Sequence, residues 1–126
     1  TVVLYTMDDC IFCKIIKGEI PSHKVYEDAE FLAFLDRDPL SPGHTLFIPK
    51  QHYRWVWDVP QAGKYFEVAQ KIALAQKKAF QTDFVLSKIV GEEVPHAHIW
   101  IYPDRDVVGD KKDFVTNAEK IKKCLE

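Results

Sequence analysis

Alternating side chains in VPHAHIWIY, residues 94–102, constrain the fold of this chain more than any other feature. In a β-strand, alternate side chains share a face, which puts His96, His98 and Trp100 on one side and the apolar side chains between them on the other. The apolar row predicts a strand that faces a core. Each buried imidazole needs a polar partner, so two on one face favour a functional site, with two surface histidines on an exposed strand as the alternative.

Short apolar segments separated by turn residues dominate the rest of the chain. The predicted strands are residues 23–26, 31–36, 45–48, 84–90 and 96–102. They follow one another as hairpins, and two prolines and a glycine make the loop before the third strand rigid. Strands in hairpin order that outnumber the helices predict an antiparallel sheet with helices packed on it, which is an α+β fold.

Three helices are predicted around this sheet. The long one covers residues 61–80, where apolar side chains recur at helical spacing: Tyr65, Phe66, Ala69, Ile72, Ala73 and Ala79. A short helix over residues 12–17 is predicted to be capped by Asp8 or Asp9. The capping-box spacing of TNAE, residues 116–119, predicts the start of a final short helix.

Length and charge exclude several function classes. The 126 residues suffice for one domain, residues 1–126, in which residues 1–6 form a strand or an extension ahead of the domain. Seventeen Lys and Arg against nineteen Asp and Glu leave a net charge of −2, which argues against nucleic acid as a partner. Apolar runs such as residues 31–35 are too short to span a membrane, and no leader pattern is visible, so we expect a cytoplasmic protein.

The three cysteines point to a metal or redox role. Cys10 and Cys13 form a tight pair and Cys124 makes the total odd, which suits a reducing compartment better than a disulfide scaffold. Two thiolates at this spacing can coordinate one Zn²⁺, and His52 and His96 are the obvious donors to complete its tetrahedral coordination. Buried structural thiols are the alternative.

Redox catalysis is a second alternative for the cysteine pair. TVVLYT followed by Cys-x-x-Cys at a helix start resembles the opening of a glutaredoxin, in which the helix dipole lowers a thiol pKa. That fold needs a βαβ continuation and a later cis-proline, whereas this chain continues through hairpins. A thiol oxidoreductase is therefore the weakest of the functions considered.

His44 is a third candidate, because Ser41, Pro42 and Gly43 hold it on a rigid loop that leads into a predicted strand. A histidine in that place can be aimed at His98, and one imidazole can orient another or relay its protons. An ordinary surface histidine is the alternative.

Taken together, these pieces resemble the histidine triad (HIT) family, in its Hint-like branch. The similarity extends from Asp8 to Pro103 and is carried by CIFCKIIKGEIP (residues 10–21), AFLD (33–36), SPGHTLFIPKQH (41–52) and VPHAH (94–98). The resemblance implies a homodimeric α+β domain, with an antiparallel sheet, one long helix and short terminal helices. It also implies binding of nucleoside monophosphates and cleavage at the α-phosphate.

The resemblance implies roles for individual residues. His98 matches the middle histidine, which attacks phosphorus and forms a labile nucleotidyl-histidine, and His44 matches a supporting proton and orientation partner. Asp36 matches the residue that hydrogen-bonds the ribose hydroxyls. The other nucleotide-site residues are Ile11, Phe12, Ile15, Phe34, Glu93 and Trp100; the first four match a slot for the base, with plain core as the alternative. The zinc ligands in many relatives match Cys10, Cys13, His52 and His96.

Three departures from the family pattern bear on activity. Trp100 replaces the third histidine, and its single N–H donor cannot relay protons; a related branch, the uridylyltransferases, has glutamine there and keeps the middle histidine as nucleophile. Glu92 replaces a glutamine and would repel a phosphate unless it turns away or is protonated. The short loop at residues 87–91 loses one phosphate or ribose contact, for which Lys88 is a candidate replacement.

These observations favour a zinc-binding enzyme that hydrolyses nucleoside 5′-phosphoramidates or related nucleotidyl substrates through a covalent His98 intermediate. Purine nucleotides are the expected ligands. A nucleotide-binding module with little or no turnover is the alternative, because of Trp100, Glu92 and the short loop.

Overall fold

A five-stranded antiparallel sheet forms the centre of the molecule. The computed structural model describes residues 9–126, so the strand or extension predicted for residues 1–6 lies outside the described part. The strands are β1 (Lys24–Glu27), β2 (Phe31–Leu35), β3 (Thr45–Pro49), β4 (Val85–Ile89) and β5 (Ile99–Pro103). Their order in the sheet is β1-β2-β3-β5-β4, and every neighbouring pair is antiparallel. The predicted α+β fold is confirmed.

Three helices pack on this sheet: α1 (Ile11–Ile16), α2 (Ala62–Ala79) and α3 (Phe114–Leu125). The long helix α2 packs against β5, and α3 packs against α2 and β1. A 3₁₀ turn at Val56–Asp58 precedes α2. Within residues 9–126, no helix has the length and apolar character needed to cross a membrane.

Both faces of the central strands are buried, because their side chains alternate between two apolar clusters. On one face Phe31 and Phe47 pack with Tyr65 of α2, and the Phe31 and Tyr65 rings stack with centroids 5.1 Å apart. The opposite face carries a second set that packs with α1: Leu32, Phe34, Leu46 and Ile48. The sheet is therefore a middle layer, and its α1 face is the one that carries the site.

The helix caps differ from the sequence-based expectation. Cys10 caps α1, and its Sγ accepts a hydrogen bond from the Cys13 N–H at 3.4 Å, so the expected cap at Asp9 is wrong; Asp8 lies outside the described residues. The N-cap of α3 is Asp113, three residues before the predicted cap Thr116, because the Asp113 carboxylate accepts a hydrogen bond from the Thr116 N–H at 3.2 Å.

The buried stripe of α2 also departs from the predicted one. Phe66 is 41 % exposed, whereas Gln76 is fully buried. The amide of Gln76 donates hydrogen bonds to the carbonyl oxygens of Gly43 at 3.0 Å and Ile101 at 2.9 Å. This buried amide joins the loop before β3 to strand β5, so it fixes the loop that precedes His44.

Gly43 is required in that loop for two reasons. Its φ of +83° lies in the left-handed region, and a Cβ placed there would come within 2.4 Å of the Phe80 ring. The rigid loop predicted from two prolines and a glycine is thus held by contacts with α2 as well as by its own backbone.

The two histidines of the alternating segment lie just before the β5 ladder begins at Ile99. The N–H of Ala97 donates a hydrogen bond to the Tyr53 carbonyl at 2.7 Å, outside the sheet. The alternation nevertheless persists, because Ala97 and Ile99 join the core under α2 while Trp100 packs with the cluster around α1.

Candidate active site

The imidazole of His98 has a defined tautomer. Its Nδ1 lies 2.6 Å from the carbonyl oxygen of His96. A carbonyl oxygen only accepts hydrogen bonds, so Nδ1 carries the proton and Nε2 carries the lone pair. Burial lowers the pKa of His98, although the carbonyl and the Asp36 carboxylate act in the opposite direction. His98 therefore presents a neutral ring with an available Nε2, which is the state in which imidazole is a nucleophile.

His98 lines a cavity of about 490 Å³ between α1 and the sheet. Helix α1 contributes Ile11, Phe12 and Ile15 to its wall. Its floor is a row of three paired residues on adjacent strands, Phe34, Leu46 and Trp100. Phe12 meets both Phe34 and His98 edge to face, with ring centroids 5.6 Å and 5.1 Å apart. The result is an apolar slot, suited to a flat ring, that extends to the nucleophilic histidine.

Carboxylates supply the polar part of the same cavity. One oxygen of Asp36 accepts a hydrogen bond from the Asp38 N–H at 3.0 Å, and the other lies 3.5 Å from Nε2 of His44. Burial raises the pKa of Asp36, and the nearby charges of Asp38 and Glu93 add to this effect. Glu93 lines the cavity, whereas Glu92 is exposed and lies outside its lining. The site is therefore an acidic-rimmed slot with one end at His98.

His44 is buried and also has a defined tautomer. Its Nδ1 accepts a hydrogen bond from the Leu40 N–H at 3.0 Å, so the proton lies on Nε2, which faces Asp36. Burial lowers the pKa of His44 to about 4, which keeps the ring neutral. Its ring lies 5.1 Å from that of Trp100. His44 thus reaches the site through Asp36 and Trp100, and makes no direct hydrogen bond to His98.

The indole of Trp100 forms part of the floor of the cavity. Its Nε1 is buried and has no hydrogen-bond partner among the described residues. Lys88, its neighbour on β4, holds its ammonium 5.6 Å from the Trp100 ring and does not line the cavity. The expected use of Lys88 as a ligand contact therefore has no support in the cavity lining.

Four side chains beside the cavity converge as a metal-ligand set: Cys10, Cys13, His52 and His96. Their ligand atoms all lie within 4.8 Å of one another. Nδ1 of His96 is 3.3 Å from Sγ of Cys10 and 3.5 Å from Sγ of Cys13, and Nδ1 of His52 is 3.3 Å from Sγ of Cys13. A tetrahedral zinc with ordinary Zn–S and Zn–N bonds would hold sulfur and nitrogen ligands about 3.5 Å apart. The spacing of the donors therefore fits such an ion.

The protonation of the metal-ligand set agrees with this fit. Nε2 of His96 donates to the Pro49 carbonyl at 2.9 Å, which leaves the Nδ1 lone pair facing the two sulfurs. Burial and the adjacent Cys10 thiol raise the pKa of Cys13 to about 12. Two buried thiols in contact ionise together only when a cation compensates their charge, so both cysteines would act as thiolate ligands only with a metal ion bound.

The end of the cavity remote from His98 contains residues that sequence analysis missed. Its lining includes Ser22, His23, Arg37, Asp38 and Phe114. His23 and Phe114 are 91 positions apart in the sequence numbering, so only the packing of α3 against β1 brings them together. The available signal was Phe114 itself, an aromatic residue at the first position of an amphipathic helix.

Comparison with known proteins places this geometry in a family. Residues 17–107 match the model of the HIT domain. The adenosine 5′-monophosphoramidase of Saccharomyces cerevisiae is 44 % identical over 102 residues, which are 77 % of this chain and 63 % of that protein. The adenylylsulfatase of Arabidopsis thaliana is 39 % identical over 107 residues, 79 % of this chain and 54 % of that protein.

Solved structures agree with the sequence comparison. A HIT-like protein of Bartonella henselae, described as involved in cell-cycle regulation, superposes with a TM-score of 0.84 at 37 % identity, covering 96 % of this chain and 99 % of that one. A zinc-bound histidine triad protein of Mycobacterium smegmatis superposes with a TM-score of 0.80 at 29 % identity, covering 95 % of each chain. The antiparallel fold and the buried cysteines rule against the glutaredoxin-like alternative. The chain belongs to the HIT domain family.

Proposed function

We propose that this protein is a nucleotide hydrolase that cleaves nucleoside 5′-phosphoramidates, or related nucleotidyl substrates, at the α-phosphate. One observation carries the proposal: His98 lines the cavity with its Nδ1 proton committed to a carbonyl and its Nε2 available. The yeast relative is an adenosine 5′-monophosphoramidase and the plant relative an adenylylsulfatase, which supports adenosine nucleotides as the substrate class.

The chemistry proceeds in two displacements at phosphorus. Nε2 of His98 forms a bond to the α-phosphorus as the P–N bond to the leaving amine breaks, and the amine departs with a proton taken from solvent. Water then attacks the same phosphorus, the bond to His98 breaks, and the nucleoside monophosphate is released. The carbonyl of His96 accepts from Nδ1 throughout and stabilises the positive charge that develops on the ring.

Asp36 is proposed to bind the ribose, since one of its oxygens is already satisfied by the Asp38 N–H and the group lines the cavity. We expect Asp36→Asn to weaken AMP binding about tenfold, because a hydrogen bond to a charged group contributes about 1.5–3 kcal/mol. Calorimetry with AMP and with its 2′,3′-dideoxy analogue measures this. The dideoxy analogue should bind both proteins equally; an equal loss for both ligands would contradict the assignment.

A second candidate function is nucleotide binding with little turnover. Trp100 favours it, because a lone N–H donor cannot deliver a proton to a leaving group or take one from water. Incubation with adenosine 5′-phosphoramidate, followed by chromatography of the products, separates the two functions. Release of AMP supports the hydrolase, whereas saturable AMP binding without release supports the binding module.

We propose that the metal in the four-residue centre is a structural zinc. The donor distances support it, as does the zinc-bound Mycobacterium smegmatis relative. Cys10, Cys13 and Cys124 form no disulfide with one another, which supports a reducing compartment such as the cytoplasm.

We also propose a homodimer formed along the edge of the sheet at β4. Among residues 9–126 this strand has a neighbour on one side only, and an open edge is a template for pairing with another strand. Phe84 directly precedes β4, and Leu74 lies on α2, which contacts β4. Their side chains are 61 % and 56 % exposed and offer apolar surface to a partner. Sedimentation should give a dimer that Leu74→Glu dissociates and Val108→Glu, at a 97 % exposed loop position, leaves intact. A monomeric native protein would contradict the proposal.

A further inference from the structure

We infer that His23 and Phe114 form the end wall of the base slot and select larger bases, so that purine nucleotides bind better than pyrimidine nucleotides. The inference rests on the proposed nucleotide function. It concerns two residues that no sequence motif connects, and Phe114 lies beyond residues 17–107 that match the family model.

The direction of the cavity follows from the strand register. Trp100 on β5 is paired with Leu46 on β3, Leu46 with Phe34 on β2, and Phe34 with Lys24 on β1. Neighbouring strands lie about 4.8 Å apart, so the row crosses about 14 Å from β5 to β1. His98 is at the β5 end and His23 precedes β1 at the other. A phosphate held at His98 therefore directs the rest of a nucleotide towards His23.

The two rings at the β1 end are stacked on each other. The centroids of His23 and Phe114 are 5.3 Å apart and their planes are 19° from parallel. Both residues line the cavity. The backbone of His23 is fixed by the Leu35 N–H, which donates to its carbonyl at 3.0 Å, directly beside Asp36. Along the cavity the order is therefore His98, then the proposed ribose site at Asp36, then the ring pair.

The wall is anchored from the α3 side as well. Lys112 donates from its ammonium to the Arg37 carbonyl at 3.1 Å, and Asp113 caps the helix that begins with Phe114. Further along α3, Ala118 and Ile121 are buried in the core. Phe114 therefore has little freedom to withdraw, and the length of the slot is set by the fold.

A fixed end wall distinguishes bases by their length. A purine has a second fused ring and extends farther from the ribose than a pyrimidine, so it reaches the ring pair and packs against it. A pyrimidine leaves a gap there and loses those contacts. Removal of the wall should therefore affect purine nucleotides more than pyrimidine nucleotides.

The test is calorimetric binding of AMP, CMP and ribose 5-phosphate to the full chain and three variants. Phe114→Ala and His23→Ala remove the two rings, and Val115→Ala changes the next, 66 % exposed residue of α3, which does not line the cavity. We expect AMP affinity to fall about five- to tenfold in the first two variants, in the range of one lost aromatic contact to a base. In the same two variants CMP affinity should fall by less than twofold, and ribose 5-phosphate affinity should not change. Val115→Ala should bind all three ligands with native affinity.

Each other outcome counts against the inference. If AMP and ribose 5-phosphate lose affinity equally, or if Val115→Ala loses as much AMP affinity as the ring variants, the substitutions act on the fold and the inference is overturned. Unchanged AMP binding in both ring variants would overturn it while leaving the nucleotide function intact. A native protein that binds none of the three ligands would overturn the proposed function and this inference together. His23 is exposed, so its variant tests the wall even if Phe114→Ala unfolds α3.

Discussion

Replacing His98 with alanine is expected to lower the turnover of adenosine 5′-phosphoramidate by about 10³-fold or more. The residue supplies the attacking nitrogen, and removal of a covalent nucleophile leaves only the catalysis due to binding and orientation. AMP affinity should fall much less than turnover, because the substitution alters only the phosphate end of the cavity and leaves Asp36 and the ring pair at the far end in place. Steady-state kinetics and calorimetry on the same preparation measure both quantities.

The control must show that the variant keeps its fold and its metal centre, since His98 lies two residues after His96. Melting temperature and metal content should match those of the native protein. His44→Gln is the informative comparison, because it removes a neutral ring that contacts Trp100 and faces Asp36 without removing the nucleophile. Turnover within tenfold of native in a folded His98→Ala variant would exclude the covalent route.

Removal of the metal is expected to lower the melting temperature by about 10–20 °C. A ligand present at a thousand times its dissociation constant stabilises the folded state by about 4 kcal/mol, and about 1 kcal/mol corresponds to a few degrees for a domain of this size. The centre joins α1 to the segment that carries His98, so we expect turnover to fall as well. Chelation followed by calorimetric melting, with elemental analysis before and after, measures the effect.

The chain offers a matched control for the metal experiment. Cys13→Ser removes one ligand and should lower both zinc content and stability, whereas Cys124→Ser changes a partly buried thiol on α3, outside the centre, and should retain one zinc per chain. Native protein that contains no metal, or whose melting point is unaffected by chelation, would contradict a structural zinc.

The sheet and its two faces were predictable because strand periodicity is a local property. The alternation around His98 separates Ala97 and Ile99 from Trp100 in the structure as the sequence predicts, even though the ladder begins only at Ile99. Periodicity survives such irregularities because it depends on the extended backbone and not on the hydrogen bonds between strands.

Features that depend on tertiary packing were not predictable. The cap of α1 is Cys10 and not the expected aspartate, because the Cys10 sulfur lies beside Cys13 and His96. Gln76 is buried on α2 because its partners are carbonyl groups on other elements. The contact between His23 and Phe114 needs the whole of α3 to be placed, and no local pattern contains that information.

The covalent role of His98 can be observed by intact-mass spectrometry of the protein quenched under denaturing, non-acidic conditions during turnover of adenosine 5′-phosphoramidate. We expect a species heavier by one adenylyl group, mapped to His98 and absent from His98→Ala. Turnover without such a species at any quench time, or an adenylyl group on another residue, would contradict it.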